Sequence, residues 1–222
     1  MLNLYQQHFP EPPTIIKAEI EAINLDFLQD DLLKLLNSMR IGTERIRGIV
    51  HSLQNFSRHD ESELKKVDIH QGIDSTLMLL QSRLKGTAKH PEIIVIKDYD
   101  QLPKIHCYSG QLNQVFMNLL DNAIDSIYSN SVSVQGEIKI QTRVMSKNQI
   151  SIKISDNGGG ILDKSKPKLF EPFFTTKPVG KGTGLGLFIC HKIIVNQHGG
   201  NLYCHSNFGQ GAEFIVEIPI TN

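Results

Sequence analysis

Asn113-Gln114-Val115-Phe116-Met117-Asn118-Leu119-Leu120-Asp121-Asn122-Ala123-Ile124-Asp125 divides into two faces when wound as a helix. Leu112, Val115, Phe116, Leu119, Ala123, Ile124 and Ile127 recur at helical spacing and form a face to bury. At ~100° per residue, Asn118, Asn122 and Asp125 fall within about 60° of one another on a different side. Two amides and one carboxylate in a column can hold a hard, hydrated cation, because such ions take oxygen ligands. The same column could equally be a wet helix face. The helix should run over about 110–128.

Around it the pattern is mixed. Residues 69–84 read as a helix with Ile73, Leu77, Leu80 and Leu84 on one side, and 92–97 and 104–108 read as strands. Residues 137–145 and 149–155 alternate polar and apolar, like adjacent antiparallel strands joined by Ser146-Lys147-Asn148. A Gly-rich loop, a helix over about 185–196 and two closing strands at 202–205 and 213–218 complete the chain. Antiparallel strands with interspersed helices predict an α+β fold, a two-layer α/β sandwich. With no repeated strand–helix–strand unit, a dinucleotide-binding or P-loop fold is disfavoured.

Ahead of this part, apolar residues at steps of three and four (Leu32, Leu35, Met39, Gly42, Ile46, Ile49, Leu53, Phe56) give a 3.5-residue period broken only by Gly42. That is a coiled-coil or helical-bundle seam, with Asp31, Lys34, Arg40, Glu44, Arg45, Arg47 and Gln54 on the other faces. A shorter helix over about 15–28 follows Pro12-Pro13. The charged stretch 58–66 marks a junction, which predicts a helical stem over 1–62 and a second domain over 63–222.

The chain has 222 residues, with 23 Lys+Arg balancing 23 Asp+Glu. A zero net charge argues against a nucleic-acid binder working by bulk charge. Because no apolar run approaches 18 residues, no membrane contact is expected within the chain. Cys107, Cys190 and Cys204 are odd in number and lack metal-knuckle spacing, so they read as reduced, structural thiols of a cytoplasmic protein.

Two glycine clusters carry further chemistry. Asp156-Asn157-Gly158-Gly159-Gly160-Ile161 directly follows a strand; its glycines permit close backbone approach to a flat ligand, and its carboxylate can accept from an exocyclic amine. A plain turn is the competing reading. Gly180-Lys181-Gly182-Thr183-Gly184-Leu185-Gly186-Leu187 opens a helix and frees backbone amides for phosphate. It matches neither the Walker pattern nor the dinucleotide fingerprint. Upstream, Leu169-Phe170-Glu171-Pro172-Phe173-Phe174-Thr175-Thr176-Lys177 adds adjacent aromatics, two hydroxyls and a cation, and Gly209-Gln210-Gly211 precedes the last strand.

In this order the motifs Asn-x-x-x-Asn-Ala, DNGGGI, EPFFTTK, GTGLGL and GQGAEF resemble the ATP-binding domain of sensor histidine kinases of two-component systems, part of the superfamily that includes gyrase, Hsp90 and MutL. The resemblance covers about 67–220, and the preceding helix looks like the second helix of that family's dimerisation and phosphotransfer domain. It implies a two-layer sandwich of the histidine-kinase ATPase type, ATP and Mg²⁺ as ligands, a response-regulator receiver domain as partner, and a homodimer through the stem. Asn122 stands at the surer metal position and Asn118 at a second one. Asp156 stands where the adenine amino group is received, with Gly158 and Gly160 shaping the base pocket and Ile161 lining it. Phe170 and Phe173 belong to the stretch that anchors a mobile lid, and Thr176 and Lys177 reach phosphates. Gly182, Gly184 and Gly186, with Thr183 and Leu185 between them and Leu187 after them, form the lid that meets the phosphate chain. Asn118 and Lys177 are the residues placed closest to catalysis.

Two departures stand out. Many members carry Lys three residues after the second Asn; here it is Asp125, so Lys177 or Lys181 must supply the cation. The family's phosphorylated His opens a pattern like His-Glu-x-x-Asn-Pro, and no such string occurs. His51 lacks the acidic neighbour and the Pro and sits on what reads as the second helix; His8 precedes Phe9-Pro10. His106, His191, His198 and His205 read as surface or structural. The acceptor His is therefore expected upstream of Met1, and the chain alone is expected not to phosphorylate itself. Two competing functions are a non-catalytic, ATP-responsive dimerisation module and an ATPase of the gyrase or MutL kind. The latter place a carboxylate base four residues before the metal Asn, where this chain has Asn118.

Overall fold

The computed structural model describes residues 8, 10–11, 13–57, 64–86, 90–129, 135–145, 148–178 and 182–220. The side chains of Ile49, His51, Leu53 and Phe56 lie outside the described residues, as do Lys181 and the junction over 58–63. The chain forms two compact units, Met1–Arg47 and Gly48–Asn222.

In the first unit, helix α1 (Thr14–Ala22) opens where the Pro13 carbonyl accepts from Lys17 N–H at 3.0 Å. Helix α2 (Leu25–Ser57) begins in this unit. The expected helix over 15–28 is thus divided. Asn24 takes a φ of 47°, a left-handed conformation that Asn tolerates better than most residues, and its carbonyl starts the next helix by accepting from Leu28 N–H. Leu32, Leu35, Met39 and Ile46 of the predicted seam are all half exposed or more. So are Leu28, Leu33 and Leu36, which makes the apolar stripe wider than the sequence period indicated.

The second unit is the sandwich. Strand β1 (Lys65–Val67) leads to helix α3 (Ile69–Leu79), capped by the Asp68 carboxylate accepting from His70 N–H at 2.9 Å. The expected single helix stops there and restarts after Leu80 as a short turn, α4 (Gln81–Leu84). Strands β2 (Ile94–Tyr99) and β3 (Ile105–Cys107) precede helix α5 (Ser109–Ser129). Strands β4 (Glu137–Met145) and β5 (Gln149–Asp156) follow, then helix α6 (Gly186–His191), β6 (Asn201–Ser206) and β7 (Ala212–Pro219).

Five strands form one sheet in the order β2-β4-β5-β7-β6, and β1 pairs with β3 in a separate ladder. The sequence pattern predicts antiparallel strands without assigning β2 a partner; β2 lies parallel to β4, with Ile94 opposite Glu137. Strand β3 and helix α5 intervene between them, and such a crossover is what parallel neighbours require. The β4–β5 hairpin forms in the expected register, Ile140 opposite Ile154.

One face of the sheet is apolar and covered by helices. Ile138, Ile140, Ile150, Ile152, Ile154, Phe214, Val216 and Ile218 alternate inward and are essentially buried. Against them α5 lays Leu112, Val115, Phe116, Leu119, Leu120, Ala123, Ile124 and Ile127, the predicted face with Leu120 added. Cys107 and Cys190 are buried free thiols whose burial pushes them up to about 11 and about 12, so they pack as small apolar groups. Helix α6 passes into a π-helical segment, Lys192–Gln197, closed by His198 N–H donating to Ile193 O at 3.2 Å. No helix among the described residues is long and apolar enough to cross a membrane.

Candidate functional site

Helix α5 presents its polar column at the edge of this core. Asn118 Nδ2 donates to the Gly186 carbonyl at 3.4 Å, joining the column to the start of α6. One turn on, Asn122 Oδ1 accepts from Lys177 Nζ at 3.1 Å, and the same ammonium donates to Asp125 Oδ2 at 2.5 Å. The other oxygen of Asp125 binds Arg83 Nη2 at 2.5 Å, and Arg83 Nη1 binds Asp121. Burial pushes the Asp121 carboxyl up and the neighbouring Asp125 adds to that, while Arg83 and Lys177 oppose it.

The column continues to Ser126, where it meets the loop after β5. A β-carbon on Gly158 would stand 2.2 Å from Ser126 Oγ, so only glycine lets the loop lie on the helix there. Gly158 N–H donates to Asp156 Oδ1 at 2.9 Å. Burial nevertheless raises the Asp156 carboxyl above its ordinary range, against the hydrogen bonds from Gly158, Ser126 and Ala212. Gly160, at φ 68°, runs against the Asn207 carbonyl, and Ile161 N–H donates to Ser206 Oγ at 2.9 Å. From Asn118 to Ser126 the helix rises about 12 Å at 1.5 Å per residue, so one rigid element carries both ends of an elongated site.

The predicted lid borders the column. Phe170 is half-buried, with its ring 5.2 Å from that of His191. Phe173 and Gly184 both have positive φ, 67° and 68°, and a β-carbon on Gly184 would stand 2.3 Å from the Phe173 carbonyl carbon. The Phe173 side chain is exposed, so it is the backbone of this residue that meets the glycine segment. Thr175 Oγ1 accepts from Lys177 N–H at 3.2 Å and leaves no room for a side chain at Gly182. Thr183 Oγ1 accepts from Leu185 N–H at 3.4 Å; Leu185 is buried and Leu187 half-buried in the core. Thr176 is exposed.

The structure therefore brings together Asn118 with Gly186, Asn122 with Lys177, and Asp156 with Gly158. Two residues of the site were missed by sequence reasoning. Ser126 had a signal, since it continues the Asn118–Asn122 spacing by one more turn. Arg83 had none, lying 38 residues from its partner Asp121. The donor set suits Mg²⁺: two carboxamide oxygens a turn apart are hard ligands, and among the described residues no cluster of His, Cys, Asp and Glu could hold a metal alone. An ion here would complete its shell with phosphate oxygens and water.

A family model described as "Histidine kinase-, DNA gyrase B-, and HSP90-like ATPase" matches residues 108–222. Over 209 residues the chain is 37% identical to the signal transduction histidine-protein kinase AtoS of Escherichia coli K12, covering 94% of this chain and 33% of AtoS. The nucleotide-free catalytic domain of histidine kinase ThkA superposes with a TM-score of 0.60 at 30% identity, over 72% of this chain and 99% of that domain. ThkA solved in complex with the response regulator TrrA matches 95% of this chain and 53% of that one, with a TM-score of 0.63 at 25% identity. The chain thus spans about a third of the length of the curated relative AtoS. With the motifs, the sandwich and these likenesses in agreement, the chain belongs to the histidine kinase-, DNA gyrase B- and HSP90-like ATPases, in their sensor histidine kinase branch.

Proposed function

We propose that this chain binds ATP·Mg²⁺ between α5 and the glycine-rich segment, with the adenine amino group on Asp156 and the phosphates toward Asn118, Asn122 and Lys177. The γ-phosphoryl then passes to an imidazole nitrogen of a histidine on a separate acceptor helix, and from there to an aspartate of a response-regulator receiver domain. The observation that carries this reading is the single column Asn118–Asn122–Ser126. It has the half-buried Asp156 carboxylate at one end, Asn118 at the other, and the Lys177 ammonium on Asn122 between them. When bound, the metal would neutralise phosphate charge. The chain's own residues position the nucleotide and oppose the charge that develops as the phosphoryl transfers, the main contributions available to this reaction.

Asn118, where a hydrolytic relative would carry a carboxylate base, favours transfer over hydrolysis. AtoS is named as a histidine-protein kinase, and ThkA was solved with a response regulator, which supports the same route here. The wide apolar face of α2 supports pairing with a second copy and with the acceptor helix. The parts assigned are a dimerisation stem over 1–62 and a catalytic domain over 63–222.

Phosphotransfer tests the reading. The chain incubated with labelled ATP and Mg²⁺ should not label itself, since no histidine in it has the His-Glu-x-x-Asn-Pro setting. An added acceptor-helix domain from a histidine kinase should acquire acid-labile, base-stable phosphate. ATP binding without any such transfer would instead support a non-catalytic, ATP-responsive module, and phosphate on His51 would overturn the acceptor assignment.

A further inference from the structure

Asn122 has one atom to offer a hard cation, its Oδ1, because Nδ2 offers only hydrogens. In this structure Lys177 Nζ is aimed at that atom from 3.1 Å. The ammonium is held there by Asp125, which grips it at 2.5 Å, closer than Asn122 does. Asp125 is itself fixed, since Arg83 forks across Asp121 and Asp125, one turn apart on α5. With Arg83 on one oxygen and Lys177 on the other, the charge of Asp125 is balanced. It therefore bears on the site chiefly through where it places Lys177.

We propose that Asp125 is a positioning residue that parks the Lys177 ammonium on Asn122 Oδ1, so that the ammonium and the nucleotide's divalent ion compete for one oxygen. The exchange breaks the Lys177–Asn122 hydrogen bond and forms a metal–Oδ1 contact. Two cations repel at that separation, so the arriving ion expels the ammonium and delivers Lys177 to the phosphates it accompanies. Metal arrival and charge neutralisation by Lys177 become one event. The proposal rests on the nucleotide reading above. The two side chains are about a third exposed, which sets the scale of the effect at about two- to five-fold.

The test titrates a nonhydrolysable ATP analogue into the full chain by calorimetry at a series of Mg²⁺ concentrations, for wild type, Asp125→Asn, Lys177→Gln and the double variant. Asp125→Asn should lower the Mg²⁺ concentration for half-maximal binding by about two- to five-fold. Lys177→Gln should lower it at least as far, and Asp125→Asn should add nothing in the Lys177→Gln background. With EDTA in place of Mg²⁺, Lys177→Gln should bind the analogue as wild type does, because without the ion the ammonium stays on Asn122; markedly weaker metal-free binding by Lys177→Gln overturns the coupling. An unchanged or raised Mg²⁺ requirement in Asp125→Asn overturns the proposal, as does a shift of equal size in both backgrounds. Should Asp125→Asn fail to fold, Lys177→Gln decides alone, since an unchanged Mg²⁺ requirement there is equally fatal. Wild type that binds no analogue at any Mg²⁺ concentration removes the nucleotide reading, and this proposal with it.

Discussion

A β-carbon placed on Gly211 would stand 1.9 Å from the carbonyl oxygen of Asp156. Gly211 also holds a φ of 88°, where a side chain is strained whatever the space around it. Gly211→Ala should therefore destabilise the fold by about 1–3 kcal/mol through backbone strain and must also push the end of β5 aside. Urea denaturation gives the first quantity and nucleotide titration the second. Unchanged stability together with unchanged affinity would show that the Asp156 turn is not held as described.

Asp156→Asn keeps the shape and removes the charge. If the carboxylate receives the adenine amine, the loss is that of a charge-assisted hydrogen bond, and nucleotide affinity should fall about ten- to a hundredfold. Burial holds the Asp156 carboxyl above its ordinary range. Between the ordinary and the raised value the native state binds more protons than the unfolded chain, so this group makes stability decline as pH rises through that window. Asp156→Asn should flatten that part of the stability–pH curve, read by urea midpoints at successive pH values.

His198 behaves in the opposite sense. Its Nδ1–H donates to Ile193 O at 2.9 Å, which leaves Nε2 to accept from Tyr108 N–H at 3.2 Å. Burial depresses its pKa, because protonation would place a charge there and set a donor against a donor. Its contribution is complete above the ordinary His value of ~6.5 and is lost as pH falls through the depressed one. His198→Gln should lower stability at neutral pH yet soften the acid limb of the denaturation profile. A limb of unchanged steepness would place that acid sensitivity elsewhere.

Leu35 and Met39 lie on the exposed apolar face of α2, 54% and 62% accessible in one copy. Sedimentation of the full chain should show self-association, and Leu35→Glu combined with Met39→Glu should return it to a monomer with the second unit still folded. Equal masses for the two proteins would take the stem out of the assembly.

The sequence made the helices plain where burial alone decides them. Helix α5 could be read from its apolar spacing, and the β4–β5 hairpin from its alternation around Asn148, whose φ of 57° suits that residue type. Pairing across distance was hidden. That β2 lies parallel to β4, or that the three residues of β3 pair with β1 instead of the main sheet, joins segments about 40 residues apart, which no local pattern records. The π-helical turn at Lys192–Gln197 was hidden likewise, since Ile193 and Ile194 would suit the buried side of an ordinary helix too. At the site, the amides and glycines were legible because their chemistry is local. Asp125 read as the carboxylate of a cation-holding column and as a departure from the family pattern, whereas its bonds to Arg83 and Lys177, 42 and 52 residues away, left no local trace.

Because one straight rod bears the polar residues at both extremes of the cleft, helical pitch acts as its yardstick. Loop rearrangements can change what closes over a ligand, or how fast it leaves, without altering the interval between Asn118 and Ser126. A residue inserted within that interval would rotate everything beyond it by ~100° and turn Ser126 away from Gly158. Length variation should be tolerated in the flap and forbidden in the rod.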